Sequence, residues 1–542
     1  MESLVATVTA LVVSLLTLGL MVRLAPTLGM LDYPNSRKVH TQPIPRVGGW
    51  GIVCGAVVAI LLWVPINALT LAFVWGSLIL LIGGAADDRW DLRATTKLAV
   101  QFAASLPVVW FAGLAVQSIP LFGEHTIAYP VAIAITGVGL VAGINATNTS
   151  DGLDGLAGGE SLLSLAGVSY LAYATGNTNL LFIAAAAAGG LLGFLRYNTH
   201  PATIFMGDAG SQFLGFAVAV LGLALVRPEA GSLSPWTMLL VMGLPLFDLA
   251  VAAVRRLMRG VSCFRPDRNH IHHRLLDLGF SHNQAVVIIY VAQTSFVFFA
   301  IVTMTSTDWK ILLVYVLHIA VLYGFLILAE GSQRENHRAI ARLTMRSQHG
   351  KDVSPILVWA PRILLETVIP LVLVICASLA SDIPDDFSIL GGALLVAMAI
   401  HFLTPDAKNI SMARIPIFIA AAAIVYLYTE NRPFLSATSH LTEAVAFSGI
   451  IAATASAIRF SPKRRQREFY STGIDSLVAL LVFLTFSAFH NISGFANIFF
   501  VIYLPIILYG CEIILVERRE RKDWLPFATF IATIIFTLRA LV

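Results

Sequence analysis

Apolar runs of 17 to 22 residues recur along the whole chain, broken by short polar stretches. A helix of about 20 apolar residues crosses a hydrocarbon core of about 30 Å, so this pattern predicts membrane-crossing helices. Eleven are predicted near 4–24, 48–66, 69–86, 98–117, 129–145, 158–173, 178–195, 211–227, 236–254, 284–304 and 310–330. Seven more are predicted near 355–378, 387–404, 412–428, 437–458, 472–490, 494–516 and 525–541. The expected fold is an all-α polytopic membrane protein of about 18 transmembrane helices. Its expected parts are a membrane domain over 1–330, a basic polar linker over 331–352 and a further membrane domain of about seven helices over 353–542. The first run, "MESLVATVTALVVSLLTLGLMV", has neither a basic start nor a small-residue cleavage site and is read as a retained span.

Charge orients the predicted bundle. Through residue 351, the loops after odd-numbered helices hold nineteen Lys and Arg residues, and the other loops hold only Arg227 and Lys310. Basic residues favour the cytoplasmic side, so the N-terminus is expected outside and the odd-numbered loops inside. Composition agrees with a membrane chain: of 542 residues, 57% are hydrophobic and 12% charged, against roughly 25% charged in soluble domains. The four cysteines, Cys54, Cys263, Cys376 and Cys511, are scattered and suggest neither a disulfide framework nor a thiolate metal site.

Five polar clusters fall on the expected cytoplasmic side: "DYPNSRKVHTQPIPRVGG" (32–49), "DDRWDLRATTK" (87–97), "NATNTSDGLDGLAGG" (145–159), "FMGDAGS" (205–211) and "FRPDRNHIHHRLLDLG" (264–279). Each is separated from the next by an even number of predicted spans, so parity alone lets them converge. They supply the carboxylates Asp87, Asp88, Asp151, Asp154 and Asp208, hard oxygen donors of the kind Mg²⁺ or Mn²⁺ prefers. Interleaved lysines, arginines and histidines suit a metal-bridged phosphate or diphosphate. Taken singly, an Asp pair at a helix end is usually a cap, and "GDAGS" reads equally as a turn. "HIHHR" admits a zinc reading that no thiolate supports; contact with phosphate, or sharing of a proton, suits His270, His272 and His273 better. Asp248, inside a predicted span, is either a functional charge or a structural polar contact.

These motifs, in this order, resemble the polyprenyl-phosphate N-acetylhexosamine-1-phosphate transferases, which start bacterial O-antigen and related envelope glycans. The resemblance covers about residues 1–330 and leaves 331–542 unassigned. It implies transfer of an N-acetylhexosamine-1-phosphate, GlcNAc-1-phosphate first, from a UDP-sugar to undecaprenyl phosphate with release of UMP. GalNAc, QuiNAc and FucNAc are the alternative sugars, and direct attack is favoured over an aspartyl intermediate on Asp88. Asp208 is implied as the direct ligand of Mg²⁺ (or Mn²⁺), with Asp87 and Asp88 beside the phosphates. Asn148, Asp151 and Phe205 resemble a nucleotide pocket, Asp154 supports the same loop, and Arg37, Lys38 and Arg46 lie near the sugar nucleotide. Lys97, His270, His272 and His273 are implied in phosphate binding. The implied location is the bacterial inner membrane, with the site facing the cytoplasm. Membrane lipid is a partner, nucleic acid is not, and a homodimer and downstream glycosyltransferases are compatible with the pattern. A secondary transporter, which would place its polar groups near the midplane in repeats, and a non-catalytic scaffold are the rival classes.

Overall fold

A computed structural model describes residues 2–34, 42–120, 124–227, 233–261, 269–346, 367–378, 386–403 and 524–539, with isolated positions between 417 and 424. The first unit comprises the described residues through His337. It opens with α1 (Glu2–Leu28), the short antiparallel pair β1 (Leu31–Asp32) and β2 (Ile44–Pro45), α2 (Gly48–Trp63), α3 (Ala68–Trp90) and α4 (Ala94–Leu106). After the small hairpin of β3 (Ser118–Pro120) and β4 (Glu124–Thr126) come α5 (Tyr129–Ser150), α6 (Leu156–Ala174), α7 (Thr178–Asn198) and α8 (Gly207–Leu225). α9 (Trp236–Val241), α10 (Gly243–Met258), α11 (Ile271–Asp277), α12 (His282–Val302) and α13 (Asp308–Arg346) follow.

Seven described helices are long and apolar enough to cross a membrane: 5–28 within α1, then α3, α5, α7, α8, α12 and 308–330 within α13. The eighteen expected spans are therefore met by seven among the described residues. The candidates near 437–458, 472–490 and 494–516 lie outside those residues, as does nearly all of 412–428. The expected span at 98–117 is met by α4 over Ala94–Leu106 only. Three other departures have identifiable reasons. The predicted span at 236–254 is two helices broken at Met242. The polar "NATNTS" continues α5 instead of leaving it, because Asn145 spends its amide on Val141 O (2.8 Å) and Gln101 Oε1 (2.7 Å) within the bundle. The expected linker at 331–352 begins as helix, since α13 runs on to Arg346 through good helix formers.

Helix ends follow local chemistry. Asn67 caps α3 through its side chain on Thr70 N–H (2.9 Å), and Ser281 with Gln284 forms a capping box on α12. α8 is the central helix, its Phe213 and Phe216 packed on Phe73 of α3 at 6.2 and 5.5 Å between ring centroids. α3 and α8 touch at Gly84, where an added Cβ would sit 2.3 Å from Ala209 Cα. Small residues allow such close backbone approach in membrane bundles, and this one sets the ends of α3 and α8 side by side.

The second unit begins at Arg338, within α13, and includes the helices α14 (Thr367–Ser378), α15 (Asp386–Leu403) and α16 (Trp524–Arg539). α15 meets α16 at Gly391 and Thr537, and Arg539 donates to the carbonyl of Ser378 on α14.

Candidate active site

α3 and α5 end, and α8 begins, around one cavity of about 740 Å³. All five polar clusters reach it: Asp32 and Arg46 from the first, Asp88 from the second, Asp151 and Asp154 from the third, Phe205 and Asp208 from the fourth, His273 and Asp277 from the fifth. The first and fourth clusters are joined through the backbone. Phe205 N–H donates to Pro45 O (2.8 Å), and Gly48 and Gly49 N–H donate to Phe205 O (3.0 Å) and Met206 O (2.8 Å). Arg46, on the same strip, is paired with the buried Asp32.

The carboxylates at the α3–α8 junction are held by cations and backbone. Lys97 Nζ lies 2.5 Å from Asp87 Oδ2 and 3.3 Å from Asp208 Oδ2, so one ammonium bridges both. Asp87 is buried and also accepts from Leu92 N–H at 2.7 Å. Asp88 accepts from Asp208 N–H at 3.1 Å through Oδ1. Its Oδ2 is buried and has no hydrogen-bond partner among the described residues. Gly207, at φ +70°, makes the turn into α8, and a Cβ there would fall 2.4 Å from Asp88 Oδ2, so only glycine serves. Ser211, one turn on, donates to Asn148 at 2.6 Å and ties α8 to α5.

The DGLDG turn is stapled from two sides. Asn198 accepts from Gly155 N–H (2.9 Å) and donates to Ile204 O (2.9 Å), and Tyr290 donates to Gly155 O (2.7 Å). Asp151 is exposed on the cavity. The protein atoms crowded around its carboxyl, with the charges of Asp208 and Asp154, push its pKa upward against the pull of Arg46. Burial alone would raise Asp154 too. The His200 ring and Ala202 N–H on its Oδ2 (2.7 and 3.1 Å), with the His282 and His200 charges, outweigh that and hold it below the usual carboxylate range.

The histidines of the fifth cluster divide. His273 lines the cavity. His270 is buried and bonds Asp248 Oδ2 through Nδ1 (2.8 Å), while Ile271 N–H donates to Asp248 Oδ1 (3.1 Å). Asp248 thus anchors the start of α11. His272 is buried behind Gly152, whose missing Cβ would lie 2.2 Å from His272 Nε2, and it faces a small inner cavity with Glu160, Ser150 and Asp248. Burial first, with His273 and His270 beside it and Asp248 opposing, lowers this imidazole to about 4. Of the remaining sequence candidates, Lys97, Asp87 and Asn148 are not among the residues that line the cavity, and Arg37 and Lys38 lie outside the described residues. Sequence reading did not single out Asp32, Asn198, His200 or His282, all of which line the cavity. His200 and Asn198 sit only a few residues before "FMGDAGS", and proximity to that motif was the available signal.

Apolar helices of membrane-crossing length that carry a carboxylate- and cation-lined cavity where their ends meet define an integral membrane protein with a site of catalytic character. The glycosyl transferase family 4 model matches residues 70–226. The chain is 35% identical over 315 residues, 57% of its length and 88% of the relative's, to a Bacillus subtilis protein named "Probable undecaprenyl-phosphate N-acetylglucosaminyl 1-phosphate transferase". It is 38% identical over 313 residues (52% of its length, 78% of the relative's) to the decaprenyl-phosphate N-acetylglucosaminephosphotransferase of Mycobacterium tuberculosis H37Rv. Against the undecaprenyl-phosphate alpha-N-acetylglucosaminyl 1-phosphate transferase of Escherichia coli K12 the identity is 32% over 317 residues (56% and 85%). The chain belongs to glycosyl transferase family 4 and is a membrane-embedded enzyme.

Proposed function

We propose that this enzyme transfers GlcNAc-1-phosphate from UDP-GlcNAc to undecaprenyl phosphate, releasing UMP, as the first membrane step of a bacterial envelope polysaccharide such as O-antigen. The observation that carries this reading is the pairing of Asp87 and Asp208 with Lys97, with Asp88 on the Asp208 backbone, beside a cavity walled by all five polar motifs. The names of the relatives supply the substrate class.

The donor set fits a Mg²⁺ or Mn²⁺ ion: three carboxylates, no thiolate, and an unpartnered buried oxygen on Asp88. Asp208, with Asp87 and Asp88, would hold the ion. Bound there, it would neutralise charge on the diphosphate. The chain's own residues do the rest. A phosphate monoester has a second pKa near 6, so the acceptor is already largely dianionic and needs little deprotonation. Its oxygen attacks the sugar-bearing phosphorus of the donor, a P–O bond forms, and the P–O bond to UMP breaks. Lys97, fixed by Asp87 and Asp208, brings positive charge to two dianionic groups that would otherwise repel. Phe205 offers a ring for the uracil to stack on, and Asp151 and Asn148 hold the surrounding wall. Arg46 and His273 face the same cavity and provide cationic or donor contacts to the phosphates.

The site is read as cytoplasmic in the inner membrane, with the N-terminus outside, from the distribution of basic residues. That places the charged donor in water and the isoprenoid tail in lipid. The test is purified full-length enzyme with undecaprenyl phosphate and a panel of UDP-GlcNAc, UDP-GalNAc, UDP-QuiNAc and UDP-FucNAc. UMP release with UDP-GlcNAc, abolished by EDTA and restored by Mg²⁺ or Mn²⁺, is expected. Turnover confined to another sugar would replace GlcNAc, and no turnover with any would overturn the reading.

A further inference from the structure

The cavity carries a second group of ligating side chains, separate from the Asp87–Asp88–Asp208 cluster. Asp154 comes from the DGLDG turn, His200 from the segment after α7 and His282 from the first turn of α12. One carboxylate oxygen of Asp154 and one ring nitrogen from each histidine lie within 4.8 Å of one another. All three residues line the cavity. The imidazoles of His200 and His282 are stacked at 4.2 Å between centroids.

We propose that Asp154, His200 and His282 form a binding site for one divalent transition ion of the Zn²⁺ class. Donor chemistry separates it from the first cluster. Imidazole suits Zn²⁺, Co²⁺ and Ni²⁺, whereas an all-carboxylate set suits Mg²⁺. Three protein ligands with an open fourth position is the arrangement of catalytic zinc sites, and here all three residues line the cavity, from which water or a phosphate oxygen would complete the shell. Metal–ligand bonds of about 2.0–2.2 Å put tetrahedral donors roughly 3.5 Å apart. The donors lie within 4.8 Å of one another, so side-chain adjustments of about 1 Å bring them to that spacing. The surroundings already orient the donors: Ala202 N–H fixes the Asp154 carboxylate at 3.1 Å, and His282 Nε2 lies 3.3 Å from the Asp154 carbonyl. His200 Nδ1–H donates to the Asp154 carboxylate at Oδ2 (2.7 Å). If that nitrogen is the ligand, the ion takes the place of its proton, which leaves to solvent.

The site uses histidines outside "HIHHR", where a sequence reading would first look for zinc. It also needs no sugar nucleotide, so it can be tested apart from the transfer reaction. Full-length protein in detergent, stripped with chelator and held in a large excess of Mg²⁺, would be titrated with Co²⁺ and read by its visible d–d absorption. One equivalent with a tetrahedral or five-coordinate spectrum, displaced by Zn²⁺, is expected. His200→Ala and His282→Ala should each weaken Co²⁺ at least about tenfold, while His273→Ala and Asp208→Asn leave it in place. His200→Gln keeps the side-chain size and guards against misfolding. Wild type should gain thermal stability with Zn²⁺, and His200→Gln should match its metal-free unfolding temperature without that gain. No stoichiometric Co²⁺ signal, or a signal lost in His273→Ala and kept in His200→Ala and His282→Ala, would overturn the proposal.

Discussion

Lys97 meets Asp87 and Asp208 at once, so changes at this junction act on charge before they act on volume. Asp208→Asn keeps the shape and should leave the protein folded, while UMP release falls at least about a hundredfold, the scale of losing one electrostatic contact at a reacting centre. Full activity in that variant would move the ion to Asp87 and Asp88. Gly207→Ala should be worse for folding: it forces a Cβ into the left-handed region at about 1–2 kcal/mol and drives it into the Asp88 carboxylate. A lower unfolding temperature together with lost turnover is expected. His272 makes a prediction of opposite character. Its pKa falls from the ordinary 6.5 to about 4 on folding, so the unfolded chain binds the extra proton between those values. Stability is then lost as pH drops from 6.5 towards 4, by about 1 kcal/mol at pH 5.5 from this group. His272→Gln should flatten that part of the thermal-stability profile; an unchanged slope would show that His272 is not the group responsible.

At the scale of elements, the third and fourth motifs depend on α7 and α12 for their positions. Asn198 at the end of α7 satisfies one backbone group on each side, Gly155 N–H and Ile204 O. Asn198→Ala leaves both unpaired in a buried place, which costs about 2 kcal/mol and loosens two walls of the cavity together. The expected result is a lower unfolding temperature with a raised KM for UDP-GlcNAc; a KM unchanged from wild type would mean that the walls hold without the staple. α11 is placed in a comparable way by Asp248, which takes both a ring N–H and a backbone N–H at its start. The charge inside α10 is thus a structural clasp for the histidine helix, one of the two roles its position in a predicted span allowed.

For the whole molecule, all five motifs lie in the first unit, before His337. Truncation after Lys351 is therefore expected to insert, keep UMP release, and lose some thermal stability. A well-folded truncation without turnover would show that later helices complete the site. Reporters fused after Arg274 and after Gly123 should read cytoplasmic and periplasmic respectively, and the reverse pair would remove the site from its sugar nucleotide.

The sequence by itself determined the helical class, most helix positions in the first unit to within a few residues, and the convergence of the five motifs. Span length is fixed by the thickness of hydrocarbon, so it needs no tertiary information. It also marked Asp87, Asp88, Asp151, Asp154 and Asp208, because clustered carboxylates beside a membrane span have few structural uses. Only the tertiary structure decided which polar groups face the cavity and which stand behind it. His270, His272 and His273 are neighbours in the chain, yet at the start of the two-turn helix α11 successive side chains point in different directions, so His273 reaches the cavity while the other two are buried. His200 and His282 are far apart in sequence, and the packing of α7, α12 and the DGLDG turn brings them against Asp154. Contacts between distant segments leave no periodicity in a single sequence, which is why this part of the cavity was not legible until the helices were packed.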